Sequence, residues 1–121
     1  MMVIKKLKVS PVAQWWIEIR PFVNTFADLI QQSPMLKIED ADDTARQLKD
    51  MYNAIQQRYC PNEANELYTH ITRAILNLFM CYEALSTFQW DKGDIFYGRA
   101  TTDWIYAKGA LHHEGILQAA I

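Results

Sequence analysis

Glycine and proline are scarce in this sequence, four of each in 121 residues. That excludes a collagen-like, linker-like or low-complexity chain. Cysteine is scarcer still, with only Cys60 and Cys81. Two cysteines so placed form neither a disulfide framework nor a zinc or redox motif. A surplus of positive charge is also missing. Twelve Lys and Arg face fourteen Asp and Glu, for a formal net charge of −2. A nucleic-acid role is not expected, because a general binder must neutralise phosphates. The one basic cluster, Lys5, Lys6 and Lys8, reads as a solubilising flank.

Long apolar runs are absent as well. No stretch reaches the roughly 20 apolar residues of a membrane span, and the lysine-bearing start lacks the apolar run of a signal peptide. A reducing cytoplasm without membrane contact is the expected setting. Gly-x-Ser-x-Gly, a Gly-rich phosphate loop and His-Glu-x-x-His are all missing. No cofactor is expected, and nothing in the sequence argues for an enzyme.

What the chain does have is helical periodicity. Half of its residues are hydrophobic, and most of them recur at alternating steps of three and four. Residues 1–9 form an N-terminal arm, expected to be docked or disordered. Residues 10–121 are expected to form a single domain. Ser10 and Pro11 open the first helix, as cap and first helical residue. Val12, Trp15, Ile19, Phe22, Phe26 and Leu29 make its apolar stripe. Pro21 falls inside that stripe and predicts a kink or a split. Ser33-Pro34 ends the helix.

A second helix is predicted from about Asp40 to Tyr59, with one seam (Ala41, Ala45, Leu48, Tyr52, Ile55, Tyr59) and a densely polar opposite side. The third runs from about Glu63 to Phe88. Between Ile75 and Leu85 it is apolar nearly all round, so it should lie at the centre of the fold or under a partner. Asp91-Lys92-Gly93-Asp94 reads as a turn. A fourth helix follows, from about Ile95 toward Ala119. Its seam is Tyr97, Ala100, Trp104, Ala107 and Leu111. Beside the seam runs a stripe of mostly small residues, Gly98, Thr102, Ile105, Gly109 and His112, able to admit another helix closely. The fold class is therefore all-α, an antiparallel four-helix bundle with a kinked first helix.

Three constellations could carry function. On the third helix Glu66, His70, Arg73 and Asn77 share one face and could bind a small ligand, or form a plain solvated face. His112, His113 and Glu114, with His70, are the candidate metal ligands. On the fourth helix, Arg99 and Asp103 read as a surface ion pair and Asp94 as a cap or first-turn carboxylate, or Asp94 and Arg99 could anchor a charged ligand. The aromatic content is high, with four Trp, six Tyr and five Phe. Trp and Tyr suit protein interfaces, and large rings also fill the core of a small bundle. On the interface reading the candidates are Trp15, Trp16, Phe79, Tyr82, Trp90 and Trp104. The expected function is a non-catalytic helical protein-interaction module. It would self-associate as a homodimer, or bind another protein, through an aromatic and apolar face. The alternative is a small-ligand or metal-binding bundle.

Overall fold

The computed structural model describes residues 11–32 and 40–113. The N-terminal arm lies outside them. Four helices make up the fold: α1 (Pro11–Gln32), α2 (Ala41–Gln56), α3 (Asn65–Ser86) and α4 (Trp90–His113). They form the all-α bundle that the periodicity predicts. No strand occurs among the described residues, and none of their helices is long and apolar enough to cross a membrane.

α3 is the central helix. It buries Leu67, Ile71, Ala74, Ile75, Leu78, Cys81 and Tyr82, which accounts for most of its apolar stretch, while Leu76 stays partly exposed. α4 and α2 pack along it, α4 most intimately. Small residues permit that approach. Ala100 and Ala107 of α4 are fully buried, and a Cβ added at Gly93 would lie 2.8 Å from Leu85 Cδ2. α1 meets the others mainly through long side chains and rings rather than by close backbone approach. The Phe26 ring meets Trp104 edge-on at 5.2 Å, and Trp15 lies 6.5 Å from the Tyr68 ring. Arg58 stacks 5.1 Å from the Phe22 ring while donating to the Ala54 carbonyl at the end of α2.

Pro21 sits inside α1, which continues through it as one helix. The proline removes one backbone donor and crowds the preceding turn. The helix does not split, because Trp15, Trp16, Ile19, Val23 and Phe26 on either side are all buried against the same core.

Two boundaries differ from expectation. Tyr59 lies beyond α2 and is exposed, so it is not part of the seam. The turn before α4 is Thr87-Phe88-Gln89, while Asp91 to Asp94 are already helical. Gly93 therefore serves close packing against Leu85 rather than a turn. The turn itself is a Schellman closure. The Phe88 N–H donates to the Leu85 carbonyl at 3.0 Å and the Gln89 N–H to the Ala84 carbonyl at 2.8 Å. Phe88 occupies the left-handed position, with φ of 60°, where glycine is the usual occupant.

Candidate functional surface

The polar stripe of α3 divides in two. Residues seven apart on a helix point within about 20° of each other, so Glu66 pairs with Arg73 and His70 with Asn77. The second pair, turned about 40° from the first, leans toward α4 while the first leans to solvent. His70 and Asn77 are half-buried, and Glu66 and Arg73 are exposed. The α4 residue they meet is Asp103. The Asn77 side-chain amide donates to Asp103 Oδ2 at 3.1 Å, and His70 Nδ1 lies 3.7 Å from Asp103 Oδ1. That separation exceeds a hydrogen bond, and His70 Nδ1 has no hydrogen-bond partner among the described residues. The imidazole also lies 5.4 Å from the Tyr106 ring. Asp103 is thus tied to α3, and the Arg99 guanidinium lies over Phe96 at 5.5 Å. The expected Arg99–Asp103 pair is replaced by these two contacts.

His112 and His113 close α4, and their side chains, like Glu114, lie outside the described residues. Among the described residues no three His, Cys, Asp or Glu side chains gather as a metal would require. Cys81 is buried, and that burial, with the Asp94 carboxylate adding to it, pushes its thiol up from about 9 to about 11. A thiol so protonated is a poor nucleophile.

The six candidate interface rings separate by burial. Trp15 and Trp16, 2% and 3% exposed, sit in the chain's own core, as does Tyr82. They offer no surface to a partner. Adjacent tryptophans both enter the core because the buried face of α1 is broad enough to take neighbouring positions. Their indole N–H groups have no hydrogen-bond partner among the described residues. Phe79 and Trp104 are half-buried. Trp90 is 57% exposed and faces the Phe88 ring at 6.5 Å.

Among the described residues, four of the eight exposed large hydrophobic side chains, Trp90, Ile95, Ile105 and Tyr106, lie on α4. Ile95, Ile105 and Tyr106 are each more than half exposed. They alternate with Gly98, Thr102 and Gly109, also exposed, along one outward stripe. Nothing lies within 4 Å of a Cβ built at Gly98 or Gly109. The monomer therefore does not need glycine there, yet each glycine costs about 1 kcal/mol of helix stability relative to alanine. Around Gly98 the surface sinks into an open notch of about 460 Å³, bordered by Asn77, Ile95, Arg99, Thr102 and Asp103. Sequence reading marked the small-residue stripe. It did not mark Tyr106, because nothing local shows that this ring misses the core.

The chain matches no protein-family model, and no curated protein or solved structure is significantly similar to it.

Proposed function

We propose that the protein is a non-catalytic helical interaction module that self-associates through the outer face of α4. The observation that carries this reading is that face itself. Ile95, Ile105 and Tyr106 lie exposed along one stripe, with the partly exposed Leu76 of α3 also at the surface. Exposed apolar side chains lined up on one face are a feature of interaction sites on folded domains. The aromatic pair Phe88 and Trp90 is also exposed, at the α3–α4 turn.

Ile105→Glu is the direct test, with native mass spectrometry and sedimentation of the full chain as readouts. A wild-type dimer that the variant dissociates, with helicity retained, supports the reading. A wild type that stays monomeric into the hundred-micromolar range overturns it.

A second reading draws on the His70–Asp103 approach of 3.7 Å: a small ligand or metal ion held at the α3–α4 junction. Structural zinc asks for four ligands, and this junction supplies His70 and Asp103. Zinc titration by calorimetry tests it. Binding lost in His70→Ala supports the reading, and no binding to the wild type overturns it.

A further inference from the structure

We infer that the partner of the α4 face is a second copy of this chain, docked with the two α4 helices antiparallel about a two-fold axis between Thr101 and Thr102. This inference rests on the self-association proposed above and specifies its geometry. It comes from the spacing of bulk and of charge along one helix.

With the axis between Thr101 and Thr102, Ile105 of one copy faces Gly98 of the other, and Tyr106 lies one residue from facing it. Ile95 likewise falls within one residue of the second copy's Gly109. One residue is about 1.5 Å along a helix, well within the reach of these side chains. Each exposed apolar side chain thus meets an exposed glycine, and each meeting occurs twice by symmetry. The notch of about 460 Å³ around Gly98 is the depression that Ile105 and Tyr106 would enter. A parallel pairing would set Gly98 against Gly98 and Tyr106 against Tyr106, leaving gaps between clashes.

Charge obeys the same axis. Successive helical residues turn by about 100°, so Arg99 and Asp103 border the stripe on one side, Asp94 and Lys108 on the other. When antiparallel helices pack, each border meets its own counterpart on the second copy. Arg99 then falls within one residue of Asp103, and Asp94 within one residue of Lys108. Four opposite-charge pairs flank the contact. Asp94, Arg99 and Lys108 are exposed, and Asp103 is held at the border by Asn77.

The full chain in a Cys60→Ser background provides the test, with oxidative cross-linking and the dimer dissociation constant as readouts. Thr102→Cys is expected to form a disulfide dimer, and Gly109→Cys is not, because antiparallel helices carry the two Gly109 positions far apart. Gly98→Leu fills the notch from open space, so its fold should persist while its dimer weakens at least tenfold. Asp94→Lys and Lys108→Asp should each weaken the dimer roughly fivefold, and the double exchange should restore it. A parallel pairing would leave the double exchange unrescued and would cross-link Gly109→Cys. Either of those results, or a Gly98→Leu dimer of unchanged affinity, overturns this arrangement while leaving self-association standing. A strictly monomeric wild type overturns both.

Discussion

The side-chain amide of Asn77 donates to the Asp103 carboxylate at 3.1 Å, joining α3 to α4 across 26 positions of sequence. The pair is half-buried, and a hydrogen bond to a charged group is worth more than a neutral one. Asn77→Ala leaves Asp103 facing only the more distant His70. A loss of about 1–2 kcal/mol is expected. A double-mutant cycle with Asp103→Ala, read by urea denaturation, should return a coupling of the same order. Additive single effects would show that the bond contributes nothing.

The three glycines of α4 should respond differently to alanine. Gly98→Ala and Gly109→Ala place a methyl in open space and should raise stability by about 1 kcal/mol each. Gly93→Ala forces Leu85 to move, since the new Cβ would lie 2.8 Å from its Cδ2 and 3.2 Å from its Cγ. It should fall below the other two by about 1–3 kcal/mol. Thermal melts at protein concentrations low enough to keep the chain monomeric make the comparison.

Phe88 is the one non-glycine residue with positive φ, at 60°, among the described residues, and its ring is 67% exposed. A side chain in the left-handed region costs about 1–2 kcal/mol, and an exposed ring recovers little of that by burial. Phe88→Gly should therefore stabilise the monomer by up to about 1 kcal/mol, after loss of the contact with Trp90. A lower melting temperature would show that Phe88 packs more firmly than its exposure suggests.

Cys81 links stability to alkaline pH. Its folded pKa of about 11 lies above the ordinary value of 9. The unfolded chain thus releases this proton first. The protonated thiol's contribution is complete below pH 9 and is lost as pH rises toward 11, at about 1.4 kcal/mol per unit at the steepest. Cys81→Ala should be less stable at neutral pH yet lose less stability over that interval. Parallel curves for the two proteins would contradict the assignment. In the native protein at pH 8, iodoacetamide should modify Cys81 far more slowly than Cys60, which is only half-buried.

Helix content, helix order and the burial of α3 were legible in the sequence because they rest on local quantities. The steps of three and four along Leu67, Ile71, Ala74, Leu78 and Cys81 specify one buried face whatever packs against it. So does the capacity of Ala100 and Ala107 to admit a close neighbour. The stripe of Gly98, Thr102, Ile105 and Gly109 was equally visible as a pattern. Which way each pattern faces was decided only by tertiary packing. Trp15 and Trp16 resemble interface anchors in the sequence, and the fold buries both because α1 stands off from its neighbours on large rings. Asp103 resembles a surface partner for Arg99, and the fold turns it to Asn77 and His70, which sequence separation hides. Phe88 reads as the end of a helical seam, but the chain must reverse there to bring α4 back along α3. Periodicity determined that helices form. The finite width of the α3 surface, filled by α2, α1 and the Ala100–Ala107 side of α4, determined that Ile95, Ile105 and Tyr106 were left outside.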